Sequence, residues 1–318
     1  SMKYLITGCN GFVAGHYLEF LATSGKSPKV LGVGRNHSPV VPAALDFSYF
    51  LVDLIDADAI AALIAKEKPD YVIHLAAFSS VGASWKDPVA CFSNNTNIFL
   101  NIIDAVRRVS CESRVLSVGS SEQYGDQGLE ALPISEDAEL KPISPYAAAR
   151  CGQEILSKVY AAAYDVDIVM TRSFNHIGQR QTDQFVVSYF ASQFAMAERE
   201  GKKSFRLQTG DCDVIRDFVD VRDVVLAYES ILDGAESGSV YNVCSGVGQS
   251  LRVVIQHLSE ITGIKAEICQ SKNLLRPAEN RTVVGARDAI FGDLGWEPAI
   301  SFDHSLREIM EYWRRNKG

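Results

Sequence analysis

The sequence is short of several things that would narrow its class at once. Within its 318 residues no apolar run approaches the roughly 18 that a membrane span requires. The opening Ser1-Met2-Lys3-Tyr4-Leu5-Ile6 lacks the charged region, long apolar stretch and small-residue cleavage site of a secretion signal. No Cys-x-x-Cys pair occurs, and the seven cysteines, at 9, 91, 111, 151, 212, 244 and 269, are odd in number and widely spaced. That pattern argues against a disulfide framework and against a zinc site, and predicts a reducing, cytoplasmic setting with no metal centre. Positive charge is scarce: 31 Lys+Arg face 39 Asp+Glu, a net charge of −8. Neither nucleic acid nor an anionic membrane is therefore expected as a general partner. No internal repeat and no low-complexity segment is found.

What is present is ordinary globular composition, 47% apolar and 22% charged, which excludes a disordered, collagenous or coiled-coil chain. At about 100–200 residues per domain, the length fits two domains or one large α/β unit with a smaller lobe. The first two thirds alternate short apolar runs with amphipathic stretches. Strands are predicted at 4–7, 29–33, 50–52, 71–75, 114–118 and 167–171, and helices at 15–24, 57–67, 94–108 and 144–164. Strands that are apolar throughout and separated by helices indicate a parallel sheet covered on both faces. Residues 126–145, with three prolines, read as a loop. After Arg172 the alternation ends. A helix at about 185–200, a run at 206–221 and a helix near 305–316 suggest a smaller lobe built from 173–212 and about 249–318. Residues 2–172 and about 213–248 then form the main unit, with Val240-Tyr241-Asn242-Val243 returning to its sheet.

Between the first strand and the first helix lies Thr7-Gly8-Cys9-Asn10-Gly11-Phe12-Val13-Ala14-Gly15, spaced Gly-x-x-Gly-x-x-Ala. Gly8 supplies a tight turn, Gly11 lets the backbone approach a pyrophosphate, and Ala14 permits close helix–strand packing. The helix N-terminus then offers free N–H groups and a positive dipole end to phosphate. This is the entry turn of a Rossmann-type, doubly wound α/β fold, and Asn10, Phe12 and Val13 complete the predicted cradle. The second strand ends Val33-Gly34-Arg35, without the carboxylate that would hold the ribose hydroxyls of NAD. Arg35 is placed to pair with a 2′-phosphate, which favours NADP(H) over NAD(H). Stacking on adenine or exposure to solvent also accounts for an arginine there. Asp53 and Leu54, after the third strand, either contact the adenine or, in the case of Asp53, cap a helix.

Further along, Gly119-Ser120-Ser121-Glu122-Gln123-Tyr124-Gly125 closes a predicted strand with hydroxyls and a carboxylate. At the carboxyl end of a parallel strand these face the crevice where doubly wound sheets bind ligands. Ser144-Pro145-Tyr146 then begins a helix, with Ser144 suited to the cap and Pro145 to the first helical position. Tyr146 and Arg150 stand four apart on one face. A cation beside a phenol favours the phenolate and suits it to acid/base work. With Ser120, this pair could move a proton at a carbonyl next to a nicotinamide.

The order of Gly-x-x-Gly-x-x-Ala, His74-Leu75-Ala76-Ala77, Ser120-Ser121-Glu122-x-Tyr124-Gly125 and Tyr146-x-x-x-Arg150 resembles the extended short-chain dehydrogenase/reductases acting on nucleotide sugars. Arg172-Ser173-Phe174-Asn175-His176-Ile177-Gly178, the stretch from Arg216 to Val224, Tyr241-Asn242-Val243-Cys244-Ser245-Gly246 and Arg276-Pro277-x-Glu279 continue it over nearly the whole chain. Within that family these versions are most similar to GDP-4-keto-6-deoxy-mannose reductases, with GDP-mannose 4,6-dehydratases as close neighbours. Two departures stand out. The family pairs its tyrosine with lysine, where this chain has Arg150, and related reductases carry Gly-Pro-Gly-Gln where this chain has Gly178-Gln179-Arg180-Gln181. Arginine keeps the charge but is bulkier and is never deprotonated.

The resemblance implies a catalytic set of Tyr146, Arg150, Ser120, Ser121 and Glu122. Cofactor would lie against Gly8, Asn10, Gly11, Phe12, Val13, Arg35, Asp53, Leu54, Leu75, Ala76 and Ala77, and against Tyr146 and Arg150. Substrate would meet Ser79, Ser120, Asn175, Arg216, Arg276 and Glu279, the arginines gripping the diphosphate through forked bonds. A surface salt bridge explains each arginine equally well in so acidic a chain, and His176 reads better as a buried structural histidine. Ser80 and Trp85 could touch the sugar, but packing accounts for Trp85 as well, and Tyr124 reads as packing. Glu122 is either a base for a dehydratase or a support for the Ser120-Ser121 turn. The implied activity is NADPH-dependent reduction of a nucleotide-bound 4-keto-6-deoxyhexose. A 4,6-dehydratase or epimerase that recycles its cofactor, and a binding protein weakened catalytically by Arg150, are the alternatives. The resemblance also implies a homodimer joined through helices 94–108 and 144–164.

Overall fold

A computed structural model describes residues 1–316, apart from 78, 79 and 111. The chain begins with β1 (Lys3–Thr7), α1 (Phe12–Thr23), β2 (Lys29–Gly34), β3 (Asp46–Leu51), α2 (Ala57–Glu67) and β4 (Tyr71–His74). It continues with α3 (Val81–Ser84), α4 (Pro88–Val109), β5 (Arg114–Ser120), α5 (Pro145–Tyr164) and β6 (Asp167–Ser173). Then come β7 (Asn175–Ile177), α6 (Val186–Arg199), β8 (Ser204–Thr209), β9 (Ile215–Asp220), α7 (Val221–Gly234) and β10 (Val240–Val243). The last part holds β11 (Gly248–Ser250), α8 (Leu251–Thr262), β12 (Lys265–Gln270), β13 (Thr282–Val283), α9 (Asp288–Leu294) and α10 (Phe302–Arg315).

Seven strands in the order β10-β6-β5-β4-β1-β2-β3, all parallel, make the main sheet. The order reverses between β1 and β4, and a crevice opens at the carboxyl ends there. Alternate residues of one strand enter opposite cores. Tyr4 and Ile6 pack with Tyr17, Leu21, Val224 and Ile231 of α1 and α7. Leu5 packs with Ile60, Ile64, Phe99 and Ile102 of α2 and α4. This two-sided burial is why the strands read as unbroken apolar runs. The edge strand β3 begins at Asp46, four residues before its apolar run, because it is only half-buried and tolerates Asp46 and Ser48. Helix α4 likewise starts earlier than its apolar period, at Pro88, where the Asp87 carboxylate accepts the Ala90 N–H at 3.1 Å. Helix α5 is tied to β6 by a buried fork: Arg172 Nε and Nη2 donate to the Glu154 carboxylate at 2.8 and 2.9 Å.

A separate cluster of Phe190, Phe194, Leu258, Ile309 and Met310 unites α6, α8 and α10 into a lobe. The run at 206–221 is not one strand but two, in different sheets: β8 pairs with β12, and β9 with β7, β11 and β13. The break falls at Gly210-Asp211, where the Asp211 side chain accepts the Asp213 N–H at 2.9 Å and turns the chain. Helix α9 packs back on the main unit, with Ile290 and Trp296 joining the core under α1 and α7. Strand β9 is shared, since Phe218 enters the lobe core and Val219 the core of the main sheet.

Candidate active site

The turn after β1 has the geometry its glycines predict. Gly8 adopts φ +64°, and a Cβ there would lie 2.7 Å from the Ala76 nitrogen, so only glycine fits. Gly11 caps α1 with no side chain bonded to the first turn, which leaves the helix N–H groups free for an anion. A cavity of about 320 Å³ opens beside this turn. Its walls include Gly8, Asn10, Gly11, Arg35, Leu54, Leu75, Ala76 and Ala77. A cradle closed by backbone on one side and by Arg35 on the other fits a dinucleotide. Asp53 is not among the lining residues: its carboxylate accepts the Ile55 N–H at 3.1 Å. The cap of α2 is Asp56, which accepts from Ala59 N–H at 3.1 Å, so the capping alternative for Asp53 is corrected by three residues.

A second cavity, of about 330 Å³, shares Gly8, Gly11, Leu75 and Ala77 with the first and runs along the ends of β5 and β6. Phe12 and Val13 line it, together with Ser120, Ser121, Glu122, Tyr146, Arg150, Asn175 and His176. Ser144 and Pro145 open α5 as expected, the Ser144 hydroxyl accepting from Ala147 N–H at 3.0 Å. One turn on, Arg150 Nε donates to the Tyr146 hydroxyl oxygen at 3.2 Å, with its guanidinium 5.2 Å from the ring centroid. The Ser120 hydroxyl oxygen accepts the Glu122 N–H at 3.1 Å and closes a capping box with Gln123, whose side-chain carbonyl takes the Ser120 N–H at 2.9 Å. Among the described residues nothing accepts the hydroxyl proton of Ser120, which leaves it for a ligand. The His176 ring is buried enough to hold it neutral, with its pKa lowered to about 4, and its Nδ1 has no hydrogen-bond partner among the described residues.

Glu122 faces the lobe. Its Oε2 accepts from Asn280 Nδ2 at 3.2 Å. Burial pushes its carboxyl above the ordinary range, while the Arg216 and Arg276 cations pull it back. Arg216, itself buried, donates to Glu279 at 2.8 Å, and Arg276 stands 3.9 Å from the same carboxylate. Burial disfavours the Arg216 charge, and Glu122 and Glu279 support it. The structure thus brings Glu122, Arg216, Arg276 and Glu279, distant in sequence, into one charged group beside the crevice.

Ser79 lies outside the described residues. Ser80 lines the crevice and caps α3, whereas the Trp85 indole nitrogen is buried without a partner among the described residues. The Tyr124 hydroxyl donates to Asn242 Oδ1 at 2.5 Å and accepts from Arg172 at 3.0 Å, so it binds elements together rather than facing ligand. Sequence reasoning missed Gln123, Gln153, Asn280 and Tyr228. Only Gln123 carried a signal, as the third residue of a capping box.

A family described as GDP-mannose 4,6 dehydratase matches residues 5–309. The chain belongs to this family. Among its relatives is the GDP-6-deoxy-D-mannose reductase of Pseudomonas aeruginosa, 34% identical over 98% of this chain and 97% of that protein. The GDP-6-deoxy-D-talose 4-dehydrogenase of Aggregatibacter actinomycetemcomitans is 26% identical, covering 99% of this chain and 98% of its own. In structure, RMD from Pseudomonas aeruginosa complexed with NADPH superposes with a TM-score of 0.84 at 34% identity, with 99% of each chain covered. A UDP-glucose 4-epimerase from Thermus thermophilus in complex with NAD gives 0.84 at 28% identity, over 98% of this chain and 99% of that one.

Proposed function

We propose that this chain reduces the 4-keto group of a GDP-linked 4-keto-6-deoxyhexose with NADPH. One observation carries the reading: the Tyr146 and Ser120 hydroxyls line the same crevice as the glycine turn. The bound cofactor would supply the hydride. Tyr146 gives its proton to the keto oxygen as charge develops there, and Ser120 donates its free hydroxyl proton to the same oxygen. Arg150 holds the Tyr146 oxygen and would bind the nicotinamide ribose of the bound cofactor. Arg35 and the free N–H groups of α1 take the cofactor phosphates, Arg35 selecting a 2′-phosphate. Asn175, Arg216 and Arg276 take the diphosphate of the substrate. The reductase relative and the NADPH-bound neighbour support this assignment.

A dehydratase would use Glu122 as base, and a dehydratase or an epimerase would recycle its cofactor. The Glu122 carboxylate is engaged by Asn280 of the lobe, and the Ser120-Ser121 turn is supported by the Gln123 side chain rather than by Glu122. The deciding experiment follows NADPH absorbance with a GDP-4-keto-6-deoxyhexose. Stoichiometric loss with formation of a GDP-deoxyhexose is expected, and an altered sugar without net loss overturns the reading. Binding without turnover, gained as turnover in Arg150→Lys, would leave a binding protein.

The same proposal includes a homodimer. Phe92 lies 3.9 Å from where a Cβ on Gly152 would sit. Val89 and Phe92 on α4 and Ile155 and Val159 on α5 extend that face and are exposed in the monomer. Light scattering should give twice the monomer mass, and Ile155→Glu should return it to the monomer value. A monomeric wild type refutes this part. Among the described residues no helix is long and apolar enough to cross a membrane, and the six described cysteines, free thiols, suit a reducing cytoplasm.

A further inference from the structure

Arg150 is a buried cation with 8% of its surface exposed. Among the described residues no carboxylate forms an ion pair with it. Its partners among the described residues are three neutral oxygens: the Tyr146 hydroxyl through Nε, and the Val118 carbonyl and Gln153 Oε1 through Nη1, at 3.2 and 2.8 Å. An arginine only donates, so the oxygen of the Gln153 amide must face it, and the amide nitrogen must face the other way. There Nε2 meets two acceptors, Ser117 Oγ at 3.0 Å and the Val118 carbonyl at 3.1 Å. Ser157, one turn further along α5, donates to Ser117 at 3.1 Å. Gln153 is 2% exposed and so has no water to exchange with. Positions 146, 150, 153 and 157 form one stripe of α5 lying over β5.

The guanidinium has more directions to satisfy than an ammonium. A lysine at 150 would bring a compact charge with three rotatable donors, and would not need a lateral acceptor at position 153. An arginine must have its fork pinned if Nε rather than Nη is to face the tyrosine. We propose that Gln153 is a positioning residue that makes Arg150 serviceable in the place of a lysine, by anchoring Nη1 against β5 so that Nε is presented to the Tyr146 oxygen. The inference rests on the reductase reading for its assay only. Gln153 does not line the crevice; it acts through Arg150.

The test is a double-mutant cycle on the full chain: wild type, Gln153→Met, Arg150→Lys and the double variant. Methionine keeps the volume and removes both ends of the amide. With Arg150 present, Gln153→Met is expected to lower kcat about tenfold, the effect of roughly 1.4 kcal/mol, with KM for the GDP-sugar within about twofold. In the Arg150→Lys background the same change is expected to cost less than about twofold. Equal losses in the two backgrounds overturn the proposal, because a purely structural role for Gln153 would be felt in both. If Arg150→Lys does not turn over, NADPH fluorescence titration of the same four proteins replaces kcat, with the same asymmetry expected in Kd. Thermal unfolding of each protein shows whether all four are folded. A wild type that neither consumes nor binds NADPH refutes the function reading instead, and the two failures are thereby distinguished.

Discussion

The hydroxyl of Thr7 stands 2.8 Å from Nδ1 of His74, and both side chains are buried. The same oxygen accepts the N–H groups of Leu75 and Ala76, at 3.1 and 3.2 Å. With its lone pairs taken, Thr7 must donate its own proton to His74, so Nδ1 is the acceptor and the ring carries its hydrogen on Nε2. One hydroxyl thus clamps the ends of β1 and β4 at the point where Ala76 crowds Gly8. Thr7→Val keeps the shape and removes three bonds. We expect a loss of about 2–4 kcal/mol in urea unfolding, with weaker NADPH binding. A loss below about 0.5 kcal/mol would show that the clamp is dispensable.

His74 also sets a pH dependence. Burial, with the Arg150 charge adding to it, lowers its pKa to about 3 from an ordinary value near 6.5. The unfolded chain therefore binds this proton more readily than the native one. The stabilisation is complete above the unfolded value and is lost as pH falls from there toward about 3. Glu122 and Glu229, whose carboxyls burial pushes up, act in the opposite sense, so the comparison must be with a variant. His74→Asn should flatten the decline, leaving wild type about 2–3 kcal/mol worse placed at about pH 4.5, relative to neutral, than the variant. Parallel Tm curves for the two proteins would refute this.

Glu122→Gln separates a supporting carboxyl from a base. The amide oxygen still accepts from Asn280, while Arg216 loses a countercharge. A reductase should keep kcat within about tenfold, with a raised KM for the GDP-sugar. A fall of about a thousandfold or more in kcat would mark Glu122 as acid/base machinery.

Arg180 is strained. It sits at φ +73°, a conformation that favours glycine. It is held by an exposed ion pair to Glu19 at 3.0 Å and by contact with His16 at 3.3 Å. A left-handed non-glycine residue costs about 1–2 kcal/mol, and an exposed pair returns about 0–1. Arg180→Gly should therefore be more stable than Arg180→Ala by about 1 kcal/mol in urea unfolding. If alanine equals glycine there, the backbone is not the source of the cost.

Much of this is legible in the amino-acid sequence. The helix 57–67 and the returning strand 240–243 were read to the residue, and the Ser144-Pro145 start of α5 to within one, because burial and capping are written locally. The phosphate turn was legible for the same reason: its glycines, strand and helix are contiguous. The lobe's sheets were not, since β11 and β13 have three and two residues and owe their form to pairing with β9. Asn280 could not be found by spacing, since it meets Glu122 across 158 positions. Gln153 stands three residues from Arg150 on one helix face, but spacing alone does not tell that this arginine is buried against neutral oxygens.

Strand β9 has a consequence for how the molecule melts. Neighbouring side chains, Phe218 and Val219, are keystones of two different interiors. A hinge needs a segment on which neither interior depends, and along β9 there is none. Inserting one residue there would exchange every side chain between the two interiors and undo both. The lobe and the nucleotide-binding sheet should lose their structure together, in a single calorimetric transition, and substrate range can drift in the loops without loosening the joint that carries them.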